Sequence, residues 1–120
     1  MKKIKSQFRQ GDVLIERVDI SMPSGKNAKE NDRIVLAHGE VTGHAHELED
    51  VKGADIVSPS ARVSVPGDGD NAKMTQLIMS VGVKTSVKHQ EHAPISVKRG
   101  IYRVTRQREY SPEAIRNVAD

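Results

Sequence analysis

The chain of 120 residues carries a formal net charge of +3 and contains no cysteine, which limits both its size class and its chemistry. It is long enough for one domain with a small hydrophobic core, and the lack of cysteine excludes disulfides, thiolate metal sites and cysteine nucleophiles. No apolar run approaches the roughly 20 residues that a membrane-spanning helix needs, so we predict no membrane partner.

The basic start of the chain, residues 1–8, is not followed by the apolar segment of a signal peptide. We therefore expect a cytoplasmic location, or a place in the virion if the gene belongs to a phage. A basic arm this short is more typical of a solvated terminus than of a phosphate-binding device. Aromatic residues make up 2% of the chain, which removes the stacking platforms of single-strand binders. Nucleic acid is not an expected partner.

The residue composition favours β-structure. The chain has 14 valines and 9 isoleucines but only 4 leucines, and β-branched residues suit a pleated, half-buried surface. We predict that residues 1–120 form a single, mostly β domain.

The first half of the chain reads as three strands separated by turns. Gly11–Val18 forms the first strand and is followed by residues 21–32, a polar segment with Pro, Gly and Asn that we predict to be an exposed loop. Arg33–His38 resumes as a strand, and Gly39 and Gly43 bracket a turn. His44–Glu49 then alternates strictly, which places His44 and His46 on one strand face.

The second half contains further short strands and one helix. Turn residues are concentrated at Pro66–Asn71, and the strands lie between Ile56 and Val104. Ser111 is a suitable N-cap for a short helix over Pro112–Val118. About eight short strands with turns between them are typical of a small β-barrel or β-sandwich, here with a short C-terminal helix.

All five histidines lie in two segments, and their clustering is the main functional signal. His44 and His46 stand two residues apart on a strand, and His89 and His92 flank a polar turn before Pro94. A metal site without cysteine needs imidazoles and carboxylates that converge. We predict a divalent metal ion held by His44 and His46 with His89 or His92, although solvated histidines at strand ends would give the same pattern.

The pair His44 and His46, followed by Glu49 or Asp50 and a late histidine segment, resembles the cupin family. This resemblance implies a β-barrel that binds one divalent metal. It implies His44 and His46 as the ligand pair, Glu49 or Asp50 as the carboxylate ligand, and His89 or His92 as the last ligand.

A second resemblance covers more of the chain. It extends over Arg9–Ile15, Gly39–His46, His89–Ile95 and Gly100–Glu113, which are similar to short bacterial and phage-encoded proteins without an assigned activity. It implies a unit from near Phe8 to near Glu113 and no particular reaction.

Arginines at the end of the last strand offer a further polar group. Arg106 and Arg108 share the strand face of Tyr102 and Val104, where they could line a pocket mouth and clamp an anion, or simply leave the core at a strand end.

Two classes of function remain open from the sequence. In the first, the metal keeps an open coordination position and acts as a Lewis acid on a small oxygen-bearing substrate. In the second, the protein is a non-catalytic assembly or decoration protein, with structural histidines and stability gained from homo-oligomerisation. A nucleic-acid accessory role for the basic arm is a weaker third hypothesis, which the salt dependence of binding would distinguish.

Overall fold

A computed structural model describes residues 7–39, 43–61, 63, 65 and 77–106. These residues form ten β-strands and no helix, which confirms the mostly β prediction. The strands are β1 (Gln7–Gln10), β2 (Val13–Arg17), β3 (Gly25–Asn27), β4 (Val35–His38), β5 (Ala45–Leu48), β6 (Ala54–Pro59), β7 (Leu77–Val81), β8 (Thr85–Lys88), β9 (Ile95–Val97) and β10 (Gly100–Arg106). Within this part of the chain, no helix has the length and hydrophobicity needed to cross a bilayer.

The strands pair into two antiparallel sheets. The larger sheet has the order β1-β2-β10-β7-β6-β3, and the smaller has the order β4-β5-β8-β9. Neither sheet closes on itself through the described strands, because each ends in two edge strands. Of the two predicted architectures, barrel or sandwich, the barrel is therefore wrong for this part of the chain, which forms two open sheets.

Both sheets contribute to one hydrophobic core. Val13, Ile15 and Val104 from the larger sheet join Leu48 and Val87 from the smaller one, and all five are at most 2% exposed. The abundance of valine and isoleucine follows from this arrangement, since branched side chains fill the space between pleated surfaces.

Two segments differ from their predicted structure. Gln7 and Phe8, which the sequence assigns to the basic arm, belong to β1 and pair with Glu16 and Ile15 of β2. The predicted loop 21–32 is exposed at its centre, but it contains β3, which pairs with β6. A three-residue strand without apolar side chains gives no periodic signal, so its pairing with a distant strand had to be seen in the structure.

Two further predictions concern other parts of the chain. The C-terminal helix Pro112–Val118 and the turn Pro66–Asn71 lie outside the described residues.

A tight turn connects β1 to β2 at one end of the core. Gln10 pairs with Val13 across Gly11 and Asp12, and Gly11 has a φ of 60°, a conformation that favours glycine. Val13 also pairs with Arg106, the last residue of β10. The turn and the end of β10 therefore lie side by side, next to the core.

Candidate metal centre

Four of the five histidines converge at this end of the core. The ring centroids of His46 and His89 are 4.3 Å apart, those of His89 and His92 4.8 Å, those of His44 and His89 5.7 Å, and those of His46 and His92 5.9 Å. The fifth, His38, is exposed and contacts Glu30 instead. The fold thus brings together the two segments that the sequence could not connect, while metal binding by them stays a prediction.

Strand pairing explains why the two histidine segments meet. His46 lies in β5 and is 3% exposed, and His44 directly precedes this strand. β5 pairs with β8, and the segment that carries His89 follows β8 at once. The side-chain oxygen of Gln90 also accepts a hydrogen bond of 2.9 Å from the Ala45 amide, which ties this segment to the start of β5.

Gln10 fixes the tautomer of His46. Its Nε2 donates to the main-chain oxygens of Val87 (3.0 Å) and Ala93 (2.9 Å), so its Oε1 is the atom that lies 2.8 Å from His46 Nδ1. An oxygen of this kind only accepts hydrogen bonds, and Nδ1 must therefore carry the proton. The lone pair of His46 is left on Nε2. A backbone-anchored partner of this kind is typical of the groups that orient metal-binding histidines.

The surroundings of His46 keep its ring neutral. Burial and the nearby His89 lower the pKa of His46 to about 4, although the charge of Asp12 acts in the opposite direction. Burial, followed by the charge of His92, also lowers the pKa of His89. Neutral imidazoles are the form that binds metal ions.

Asp12 links His46 to the end of β10. Its Oδ2 accepts a hydrogen bond of 2.8 Å from Arg106 Nε, and its Oδ1 lies 3.8 Å from His46 Nε2. Partial burial alone would raise the pKa of Asp12, but the hydrogen bond and charge of Arg106 outweigh this and hold the pKa below its usual range. His46 Nε2 and the Asp12 carboxylate are then both hydrogen-bond acceptors. A group between them has to be a cation or a hydrogen-bond donor.

A second carboxylate, Glu91, lies near His44 and His89. Ligand atoms of His44, His89 and Glu91 all lie within 4.8 Å of one another. His44 Nδ1 is buried without a hydrogen-bond partner among the described residues, and the nearest carboxylate oxygen, Glu91 Oε1, is 3.6 Å away. His89 Nδ1 accepts a hydrogen bond of 3.0 Å from the Glu91 amide, so the neutral ring of His89 carries its proton on Nε2.

These side chains surround an open pocket of about 290 Å³. Besides the four histidines, its lining consists of Gly11, Asp12, Gly39, Glu91 and Arg106. Gly11 leaves room that any other residue would fill, because a Cβ atom there would lie 2.9 Å from His92 Nε2 and 3.3 Å from His46 Cε1.

Glu49, which with Asp50 was one of the two carboxylates implied by the resemblance to cupins, lies elsewhere. It follows β5 three residues beyond His46, about 10 Å further along the strand and on the opposite parity. With Asp50 and Lys84 it lines a different pocket. Asp12 and Glu91 supply the carboxylates of the histidine pocket instead. No local pattern indicates Asp12 or Gln10, since nothing in the sequence relates a turn near residue 11 to His46.

Comparison with known proteins relates the chain to a sequence family. A sequence-family model with the description "Domain of unknown function (DUF8820)" matches residues 9–107. This agrees with the resemblance to proteins without an assigned activity, whereas the resemblance to cupins finds no support. The searches of curated proteins and of solved structures returned no match.

Proposed function

The chain belongs to the DUF8820 family, and we propose that it is a metal-binding domain. Its pocket holds one divalent transition-metal ion and leaves that ion open to a small oxygen-bearing ligand. The observation that carries the proposal is the convergence of four imidazoles from two distant segments around one open pocket.

The first ligands in this proposal are His44, His89 and Glu91, whose donor atoms lie within 4.8 Å of one another. Atoms that bind one ion at about 2.0–2.2 Å are at most about 4.4 Å apart, so binding draws this group together slightly. His89 must then exchange either its Nε2 proton or the amide hydrogen bond from Glu91 for the metal. Because Glu91 is exposed, its side chain has room to move toward the ion.

Among the four imidazoles, His46 has the tautomer and orientation best suited to metal binding. Its proton is held on Nδ1 by Gln10, and its Nε2 lone pair faces the Asp12 carboxylate at 3.8 Å. Two ligand atoms at this separation fit a single ion with an angle of about 130° at the metal. We therefore include His46 in the ligand set, as the sequence predicts, with Asp12 beside it.

The ligand types restrict the metal and its chemistry. Imidazole and carboxylate ligands suit zinc, iron, nickel or copper better than calcium or magnesium. A site with three or four protein ligands in an open pocket keeps a position for water or substrate. The chemistry that fits is Lewis-acid polarisation of an oxygen on a small substrate.

Metal analysis of protein purified without a histidine tag tests the proposal. We expect about one transition-metal ion per chain after incubation with stoichiometric Zn²⁺ and desalting. His44→Gln and His46→Gln should each lower the affinity at least tenfold. His38→Gln is the matched control, because His38 is exposed and lies outside the pocket.

Absence of bound metal in the wild type, or equal binding by wild type and the pocket variants, would contradict the proposal. The non-catalytic assembly role would then be the better hypothesis. Circular dichroism of each variant distinguishes a lost ligand from a lost fold.

A further inference from the structure

We propose that the pocket binds a small oxyanion, a carboxylate or a phosphate, between the metal ion and Arg106. This inference rests on the proposed function, since it names the class of ligand that would occupy the open metal position. It concerns a residue outside the metal ligand set.

The strand register directs Arg106 into the pocket. In β10, Tyr102 and Val104 share a face with Arg106 and are buried in the core at 1% exposure each. Arg106 is the next residue on this strand face, two positions after Val104. It pairs with Val13 and lines the histidine pocket. The hydrogen bond from its Nε to Asp12 Oδ2 holds the guanidinium group in place.

Charge balance points to an anion. Among the described residues, the lining contains the two carboxylates Asp12 and Glu91 and the single guanidinium of Arg106. With neutral histidines this set has one excess negative charge, and a divalent ion reverses it to one excess positive charge. In a partly enclosed site such a charge is compensated most directly by an anion that also binds the metal.

The pocket size limits the anion to a small one. A volume of about 290 Å³ is near the lower end of ligand pockets, and the metal ion takes part of it. A short carboxylic acid or a phosphate group fits, whereas a nucleotide does not. Oxyanions also match both ends of the site, because their oxygens bind metals and accept hydrogen bonds from guanidinium groups.

Calorimetric titration of the zinc-loaded protein provides the test, with acetate and inorganic phosphate as probes and acetamide as the neutral analogue of acetate. We expect at least one of the anions to bind, and acetamide to bind at least tenfold more weakly than acetate if acetate is the one. Metal-stripped protein should bind either anion at least tenfold more weakly than zinc-loaded protein.

Variants of Arg106 separate its role from that of the metal ligands. Arg106→Gln, loaded to the same zinc content as the wild type, should weaken anion binding at least tenfold, and Arg106→Lys should recover part of the affinity because it restores the charge. Arg33→Gln is the control, since Arg33 is an exposed arginine paired with Glu47 away from the pocket.

The possible failures are distinguishable. If the wild type takes up no zinc, the proposed function and this inference both fall. If zinc binds but neither anion does, or if Arg106→Gln binds anions as tightly as the wild type, only the oxyanion proposal is overturned.

Discussion

Gln10 and His46 are joined by a buried contact of 2.8 Å that determines which nitrogen of the imidazole faces the pocket. Both hydrogens of the Gln10 amide are used by main-chain oxygens, those of Val87 and Ala93. One side chain of β1 thereby holds β5, the end of β8 and the segment after His92. The geometry of the histidine cluster consequently depends on a residue that is not itself a candidate ligand.

Replacement of Gln10 should damage both stability and metal binding. Gln10→Leu removes three hydrogen bonds and leaves buried polar atoms unsatisfied, each at about 1–3 kcal/mol. We expect a clear loss of thermal stability and at least a tenfold loss of zinc affinity in the protein that remains folded. Long-range ¹⁵N NMR should find the His46 proton on Nδ1 in the wild type.

Gln7→Leu is the control for this experiment, because Gln7 is an exposed residue of the same strand and contacts Glu16 away from the pocket. We expect its zinc affinity to match the wild type. Wild-type zinc affinity in Gln10→Leu would show that the tautomer of His46 does not matter for binding.

Gly11→Ala should disturb the pocket more than its backbone conformation alone would predict. At a φ of 60°, a side chain costs about 1–2 kcal/mol, and the new Cβ would also lie 2.9 Å from His92 Nε2. We expect lower stability together with weaker zinc binding, measured by thermal melting and titration.

Gly53→Ala separates these two effects. Gly53 has a φ of 71°, and its nearest atom to an added Cβ is Val83 Cγ2 at an ordinary 3.6 Å. This variant should lose similar stability and keep its zinc affinity. Equal zinc affinities in the two glycine variants would rule out a steric role for Gly11 in the pocket.

The sequence correctly predicted a mostly β fold, but it could not show whether the sheets close into a barrel. Val and Ile are abundant because two pleated surfaces share one core, and this signal is local. Whether the strands form a barrel depends on pairings such as that of Asn27 with Val57, thirty residues further along the chain. No local pattern encodes such a pairing, so strand spacing alone could not decide between the predicted barrel and the predicted sandwich.

The candidate site, like the fold, was predictable only where a local sequence pattern indicates it. His44 and His46 could be recognised because alternation in a strand is a local rule, and Glu91 because it lies between His89 and His92, whereas Asp12 could not. The cupin resemblance implied Glu49 or Asp50 as the carboxylate, but the residues that follow β5 line a different pocket. Asp12 reaches His46 only because β1 and β2 turn next to β5, which is a property of the tertiary structure.

The lack of apolar periodicity predicts that residues 26–30 are dispensable for folding, but their contacts in the structure lead us to expect a contribution to stability. This segment contains most of β3, the Ala28 amide donates to Ile56 at 3.0 Å, and Ala28 packs against the core. Replacing residues 26–30 by a Gly/Ser linker should cost about 2–3 kcal/mol from lost backbone hydrogen bonds and packing.

Lys29→Ala is the matched comparison, measured by chemical denaturation beside the linker variant. It removes only an ion pair with the exposed Asp55, and pairs of this kind contribute about 0–1 kcal/mol. If the linker variant is as stable as Lys29→Ala, the pairing of β3 with β6 does not stabilise the fold.

The last prediction concerns acid stability of the metal-free protein. The pKa of His46 is about 4 in the folded chain because of burial and the neighbouring His89, whereas an unfolded histidine has a pKa near 6.5. Between these values the unfolded chain binds a proton that the folded chain does not, so the free energy of unfolding falls as the pH decreases through this window. Above about pH 7 His46 makes its full contribution to the free energy of unfolding, and below about pH 4 this contribution does not decrease further.

From pH 7 to pH 5 this linkage amounts to about 1–2 kcal/mol. Denaturant titrations in the presence of a chelator measure the free energy of unfolding at each pH for the wild type and for His46→Gln. Carboxylates and other histidines also contribute to the pH dependence, so the contribution of His46 is the difference between the two proteins. The variant should lose less stability than the wild type over this interval. If the free energy of unfolding changes equally with pH in wild type and His46→Gln, the folded protein binds a proton at His46 as readily as the unfolded chain does. The hypothesis that the fold keeps this imidazole neutral for metal binding would then be wrong.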